Sequence, residues 1–203
     1  MWQQVYEGHA GPDVELVAVG IDRGGATALR PFVEQASAAF PVLVDSAGTA
    51  SQLFDFKAVP NGLLVDEDLI VRYRKDGGFK NTNPADLEAV ERFFRGGDPG
   101  PSPARGAAYE LSPLERELVD SHMRHGDLLA SVGRIGEAVT EWQAALRLDP
   151  ENLTIRKPIW MALHPEKFHP IIDKDWQRVQ LKAEREAEIA AGICGPDGCP
   201  LPD

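Results

Sequence analysis

The chain has 203 residues, of which 43% are apolar and 26% are charged, proportions typical of a soluble globular protein with a sizeable core. Its 32 acidic and 21 basic residues give a net charge of −11. A surface that acidic repels phosphate groups, which disfavours nucleic acids and anionic membranes as partners. No run of about 18 apolar residues predicts a membrane span, and no signal peptide is visible, so a cytoplasmic location is the default expectation. An extracytoplasmic location applies if the true start lies upstream.

Residues 1–95 alternate between strand-like and helix-like patterns. Short apolar, β-branched runs predict strands, the first of them buried on both faces, and apolar positions at helical spacing predict helices. The elements expected in chain order are a strand at 14–22, a helix at 26–39, a strand at 40–45, helical turns at 49–55, strands at 63–66 and 69–73, and a helix at 85–95. Glu67-Asp68 joins the last two strands as a hairpin. This order predicts an α/β domain with a mixed sheet.

Residues 96–112 are rich in glycine and proline and are interpreted as a linker. A helical segment is expected over 113–191, where Ser112 is suited to cap the first helix. Its helices are expected at 113–129, 136–148 and 174–191. Residues 192–203 are mostly turn formers and constitute a separate tail that contains both cysteines.

Three stretches of residues 1–95 resemble the redoxins of the thioredoxin-like superfamily, of the peroxiredoxin and TlpA/ResA type. These stretches are Gln4–Glu7 followed by Val14–Asp22, then Phe40–Asp45, and then Phe56–Asp66. The resemblance implies a thioredoxin-like mixed sheet, a cis peptide bond before Pro60, and a substrate groove lined by Val59 and Pro60. The alternative is that Val59-Pro60 forms a trans turn that leads into the hairpin.

The chain departs from the redoxin pattern in one respect. Members of that family carry a central strand followed by Cys-x-x-Cys at the start of a helix, where the helix N-terminus lowers the thiol pKa. Here the first cysteine is Cys194, so no residue takes over the role of the dithiol. Loss of the central strand would leave buried backbone groups unpaired, at about 1–3 kcal/mol each. Two explanations follow: the natural protein starts upstream of Met1, or the remaining strands pair directly in a degenerate scaffold.

Residues 119–152 resemble a tetratricopeptide repeat, two antiparallel helices with small residues where they cross. The matching positions are Gly126, Gly133, Ala138, Trp142, Ala145 and Pro150. His122 and Leu129 replace aromatic residues that the pattern favours. A single repeat cannot bury its own face, so the segment is interpreted either as a docking surface for a peptide or as a hairpin that covers apolar surface.

Residues 155–181 resemble stretches that follow redoxin domains in bacterial proteins. Their aromatic residues are expected to contribute to a core. His164 and His169 lie five residues apart, but metal binding would require further ligands.

Cys194 and Cys199 form a C-x4-C pair around the turn-forming Pro196-Asp197-Gly198. Three interpretations remain open: a redox relay that exchanges with a partner dithiol, a site for a soft metal ion, or an inert pair. No basic residue lies close enough in sequence to lower the thiol pKa, which weakens the relay interpretation. No cofactor is expected.

Two functional hypotheses result. The first is a thioredoxin-like thiol–disulfide oxidoreductase or antioxidant redoxin that acts on a protein thiol or disulfide partner. Its dithiol is absent from this chain, so activity is either lost or dependent on upstream sequence. The second is a redox-inactive thioredoxin-fold and repeat module that binds proteins without catalysis.

Overall fold

The computed structural model of the chain separates into two compact units, an N-terminal unit, Met1–Arg105, and a C-terminal unit, Gly106–Asp203. The structure describes residues 2–9, 11, 13–22, 25–104, 109–169 and 171–192. Within these residues the chain is a mixed α/β protein with a high helical content.

The N-terminal unit contains four helices and four strands in the part that the structure describes. They are α1 (Trp2–His9), β1 (Ala18–Gly20), α2 (Gly25–Ala36), β2 (Val42–Val44), α3 (Thr49–Phe54), β3 (Gly62–Val65), β4 (Val71–Lys75) and α4 (Pro84–Phe94). The described part of the C-terminal unit is helical. Its elements are α5 (Pro113–Ser131), α6 (Ile135–Leu148), α7 (Leu153–Leu163), a short 3-10 helix at Pro165–Lys167 and α8 (Lys174–Ala190).

The four strands form two separate two-stranded sheets. β1 pairs with β2 in parallel, with Val19 opposite Leu43, and β3 pairs with β4 in antiparallel orientation. The strand predicted over 14–22 is shorter than expected, and its burial on both faces is wrong. Val19 is 47% exposed and Leu43 is 54% exposed on one face of the pair. The reason is that no described element covers that face.

The hairpin turn is longer than the sequence pattern predicted. One carboxylate oxygen of Asp66 accepts hydrogen bonds from the backbone N–H groups of Asp68 (3.0 Å) and Ile70 (2.9 Å). Leu69 adopts a left-handed conformation with φ of 61°. The side chain of Asp66 therefore organises a turn over residues 66–70, which delays the return strand to Val71.

The core of the N-terminal unit lies between the β3–β4 hairpin and helix α4. Its buried apolar residues are Leu64, Tyr73, Phe79, Ala89 and Val90. Trp2 and Val5 of α1 pack against this cluster. Helix α4 begins where the sequence predicts, because the side chain of Asn83 accepts a hydrogen bond from the Ala85 N–H and Pro84 occupies the first turn.

The C-terminal unit is built around the pair α5 and α6, and α7 packs next to α6. Ser112 and Glu115 form a reciprocal capping box at the start of α5. The core residues are Leu111, Val119, Leu129, Ala138, Val139, Trp142, Ala145, Ile155 and Ile159. Helix α7 was not predicted, because Pro158 interrupts its pattern although it lies inside the helix.

Candidate functional site

The loop before β3 contains the two residues expected to line the substrate groove. The Val59–Pro60 peptide bond is cis, and Val59 is exposed. The side-chain amide of Asn61 fixes this loop with two hydrogen bonds. Its Nδ2 donates to the Ala58 carbonyl within the loop (2.7 Å), and its Oδ1 accepts from the N–H of Gly77, which follows β4 (2.7 Å). The side chain of Val59 is therefore presented to solvent from a backbone that hydrogen bonds hold in place.

Phe79 connects this loop to the N-terminal end of α1. Its backbone N–H donates to the Pro60 carbonyl (3.1 Å), and its ring stacks on Trp2 with centroids 5.0 Å apart. The ring also lies directly over the backbone of Gly62, where any Cβ atom would collide with it. Gly62 thus lets the aromatic ring approach β3, so that Phe79 contacts Trp2 through its ring and Pro60 through its backbone N–H.

Helix α1 contacts the core beneath one sheet and the segment that leads into β2 of the other. Trp2 and Val5 pack on the core beneath β3 and β4. The buried side chain of Gln3 accepts a hydrogen bond from the Ala39 N–H (2.7 Å), just before β2, and Tyr6 meets Phe40 edge-on with centroids 5.6 Å apart. Neither set of partners was predicted, because these contacts join residues that lie far apart in sequence.

β1 has one edge that no described strand occupies. The Ala18 N–H donates to the Pro41 carbonyl (3.0 Å), and the Gly20 carbonyl accepts from the Asp45 N–H (2.9 Å). Successive residues of a strand direct their backbone groups to opposite edges, so the Val19 N–H and C=O point away from β2. Within the described residues, no strand pairs with β1 at that edge or with β3 on the side opposite β4.

Asp86 is a buried carboxylate that sequence reasoning did not identify. It is 1% exposed, lies 2.6 Å from the Nζ of Lys75 and accepts a hydrogen bond from the Lys80 N–H (2.9 Å). Burial raises the pKa of the nearby Tyr73, and the charge of Asp86 raises it further. These contacts tie α4 to Lys75 at the end of β4 and to the loop that carries Lys80, which is a structural role. In the sequence, the feature that could have identified Asp86 is its position as an acidic residue in the first turn of a predicted helix.

The repeat-like residues of α5 and α6 meet at a close crossing. A Cβ atom on Gly126 would lie 2.5 Å from Trp142 Nε1 and 3.1 Å from the Ala138 carbonyl. The indole Nε1 donates to Asp127 (2.9 Å). Gly126 and Trp142 therefore sit together as the spacing of the two residues predicts.

His122, His125 and Glu141 form a polar cluster between these two helices. The Nδ1 atoms of His122 and His125 lie 2.6 Å and 3.3 Å from separate oxygens of Glu141. The hydrogen bond from His122 lowers the pKa of Glu141. The carboxylate fills the space between the imidazoles. No group of three or more potential ligands in the described part of the chain is arranged to hold a metal ion.

Among the described residues of the C-terminal unit, Arg156 is the most deeply buried charged side chain, and it was not singled out from the sequence. It is 1% exposed and contacts Glu184 (2.7 Å) and Glu188 (2.6 Å) of α8, and it also donates to the Pro150 carbonyl. The aromatic residues around it pack with one another. Trp176 contacts Trp160, His164 and Phe168 at centroid distances of 5.8, 5.0 and 6.3 Å. The segment serves as packing between α7 and α8.

Cys194 and Cys199, the candidate redox pair and weak metal candidates, lie outside the described residues. Comparisons of the chain with protein-family models, with curated proteins and with solved structures found no match. Among the described helices, none is both long enough and apolar enough to cross a membrane. Function is therefore inferred from the geometry of the chain itself.

Proposed function

We propose that residues 1–95 are the larger, C-terminal part of a thioredoxin-like redoxin domain, and that the protein acts in thiol–disulfide exchange through a dithiol supplied by sequence upstream of Met1. One observation carries this proposal. Within the described residues, β1 and β3 each pair at one edge only, whereas α1 packs on the core beneath β3 and β4 and also contacts the segment just before β2. A thioredoxin-like sheet has a place for one strand between two such pairs, and its reactive cysteines follow that strand.

The position of α1 gives the proposed chemistry a physical basis. A helix N-terminus stabilises a thiolate and so lowers the thiol pKa. Trp2, the first described residue of α1, stacks on the ring of Phe79, and the backbone N–H of Phe79 donates to the Pro60 carbonyl. These contacts place the Val59–Pro60 loop near the N-terminal end of α1. A thiolate placed there attacks a disulfide sulfur of the partner protein and releases its other sulfur as a thiolate. A second cysteine then resolves the mixed disulfide, which leaves the partner reduced and the dithiol oxidised.

Val59 and the helical segment are proposed to bind the partner protein. Val59 is exposed, and the hydrogen bonds of Asn61 hold the backbone that carries it. An ordered, exposed loop offers a partner chain a surface that needs little reorganisation. The paired helices α5 and α6 are proposed to dock a peptide of the partner, as a tetratricopeptide-like pair would.

A second function is favoured by a different observation, the lack of any cysteine in residues 1–193. If the natural protein begins at Met1, residues 1–193 supply no thiol to act beside Pro60. The chain is then proposed to be a redox-inactive scaffold that binds proteins through the same loop and helices. Any thiol chemistry left to it would belong to Cys194 and Cys199.

The nucleotide sequence upstream of Met1, followed by expression of the extended protein, separates the two functions. An in-frame Cys-x-x-Cys is expected, and the extended protein should reduce insulin disulfides or consume peroxide with a dithiol reductant. The 203-residue chain serves as the matched inactive control. An in-frame stop codon directly upstream, or an extended protein without either activity, contradicts the oxidoreductase proposal.

Hydrogen exchange tests the structural part of the proposal without relying on activity. The Val19 amide points to the unoccupied edge, so it should exchange rapidly in the 203-residue chain. It should become protected in the extended protein once a strand pairs there. Rapid exchange at Val19 in both proteins would show that no strand fills this edge.

A further inference from the structure

The outer face of α5 carries a stripe of exposed apolar side chains, referred to here as the α5 stripe. Its members are Leu114, Leu118 and Leu128 of α5 and the C-cap residue Val132, which are 69%, 41%, 64% and 64% exposed. At 3.6 residues per turn these positions fall within an arc of about 80°. Exposed apolar side chains that share one face of a helix form a candidate interaction surface.

The α5 stripe is distinct from the face that holds the helical pair together. α6 packs against the side of α5 that carries Val119, Gly126 and Leu129, all of which are buried. Across the middle of the stripe lie Ser121 and His125, both exposed. The stripe therefore consists of two apolar ends with a polar centre.

The spacing of the stripe is the same when it is read from either end. Leu114 and Leu118 are four residues apart at one end, and Leu128 and Val132 are four apart at the other. In an antiparallel pair of α5 helices, Leu114 of one copy would therefore meet Val132 of the other, and Leu118 would meet Leu128. The two-fold symmetry repeats each of these contacts once. Such self-complementarity is what a two-fold symmetric interface requires.

The charges beside the stripe allow the same arrangement. Glu117 and Arg124 lie on one flank of α5, where they form an ion pair of 3.1 Å. Antiparallel two-fold pairing brings this flank of one copy next to the same flank of the other. The four charged groups then form a row in which the two Arg124 guanidinium groups lie in the middle and the two Glu117 carboxylates lie at the ends. This row is neutral, so it lets two chains of net charge −11 approach at this face.

We propose that the α5 stripe binds a second copy of this chain, as an antiparallel, two-fold symmetric helix pair. A helix of 19 residues is about 28 Å long, so one such pair buries less than the roughly 1,200–2,000 Å² of stable dimers. The association is therefore reversible and depends on protein concentration. It requires neither a dithiol nor the redoxin assignment.

Sedimentation equilibrium of the full chain, carried to several hundred micromolar, measures this association directly. Leu128→Glu places a charge in the stripe and is expected to weaken the dimer at least tenfold, a change of about 1.4 kcal/mol. Val179→Glu, at an exposed position of α8, is the matched control and should leave the equilibrium unchanged. A chain that is monomeric at every concentration, or a dimer weakened equally by both variants, overturns the proposal.

Disulfide trapping tests the register in a Cys194→Ser/Cys199→Ser background. Positions 118 and 128 are about 15 Å apart along one helix, beyond the Cα separation of about 4.4–6.8 Å that a disulfide spans. Leu118→Cys/Leu128→Cys should therefore form a covalent dimer under mild oxidation, whereas neither single variant should. Equal cross-linking by a single variant, or none by the double variant, contradicts the antiparallel pairing.

Discussion

The buried guanidinium of Arg156 and the carboxylate of Glu188 form an ion pair across 32 residues of sequence, with Nη2 2.6 Å from Oε1. Glu184 completes the arrangement: its Oε2 lies 2.7 Å from Arg156, and its Oε1 accepts a hydrogen bond from the Trp160 indole (2.7 Å). Helix α8 has no buried residue of its own in the range Lys174–Ala190. Its attachment to α7 therefore combines these polar contacts with the aromatic packing of Trp176 on Trp160, His164 and Phe168.

Replacement of Arg156 is expected to destabilise the protein strongly. Arg156→Met should lower the free energy of unfolding by about 3–5 kcal/mol, since it removes one partner of a buried charge network. Arg156→Lys should be intermediate, because an ammonium cannot reach both carboxylates and the Pro150 carbonyl together. Urea unfolding measures the loss, and hydrogen exchange should show α8 loosened first.

The control for Arg156 is Arg178→Ala. Arg178 forms an exposed pair with Asp175 at 3.0 Å, so its loss should cost less than about 1 kcal/mol. Equal effects of Arg156→Met and Arg178→Ala would show that the buried network does not hold α8.

Gly126 is expected to tolerate no side chain. Gly126→Ala should lower the free energy of unfolding, because its Cβ would lie 2.5 Å from Trp142 Nε1 and 3.1 Å from the Ala138 carbonyl. Gly136→Ala offers a matched comparison, as it is helical with open space around the new methyl group. Gly136→Ala should stabilise the chain by about 0.5–1 kcal/mol. Thermal unfolding of both variants checks the opposite signs, and a stabilised Gly126→Ala would contradict the close crossing.

Asp86 is expected to anchor α4. Asp86→Ala leaves the half-buried Lys75 and the Lys80 N–H without their acceptor, and should cost about 3–5 kcal/mol. Glu91→Ala on the same helix breaks only an exposed pair with Arg95 and should cost less than about 1 kcal/mol. The comparison uses denaturant unfolding followed by far-ultraviolet circular dichroism. A near-neutral Asp86→Ala would argue against a stabilising role for the buried pair.

Tyr109 is expected to make stability sensitive to alkaline pH. Burial raises the pKa of Tyr109 well above the ordinary tyrosine value of 10.0, and the adjacent charge of Asp149 raises it further. A folded-state pKa above the unfolded value favours the neutral phenol in the folded chain. Its contribution is present below about pH 10 and is lost as the pH rises from there through the folded-state pKa.

Denaturant unfolding between neutral pH and pH 11 measures this effect, with the free energy of unfolding expected to fall above about pH 10. Tyr109→Phe removes the phenol that accepts from the Glu151 N–H and donates to Asp149. It should therefore lower stability at neutral pH and flatten the alkaline decline. Tyr6→Phe is the control. An alkaline slope unchanged in Tyr109→Phe would assign the decline to other groups.

The sequence was sufficient for features that depend on neighbours within a few residues. Helix α5 starts at the predicted capping residue because Ser112 and Glu115 satisfy each other's backbone groups. The close approach of the two helices at Gly126 and Ala138, with Trp142 between them, is the arrangement that the repeat resemblance implied. Helix periodicity likewise located α2, α4, α6 and α8 within a few residues of their observed bounds.

Tertiary structure decided the features that join distant parts of the chain. The partners of Arg156 and Asp86 and the meeting of Trp2 with Phe79 could not be derived from spacing. Helix α7 also escaped prediction, since packing and the cap at Asn152 outweigh the local penalty of Pro158. The physical reason is the sequence separation over which each interaction acts. Helix caps and hydrophobic periodicity involve residues within one or two helical turns, whereas buried charges and strand edges contact their partners only after the elements have packed.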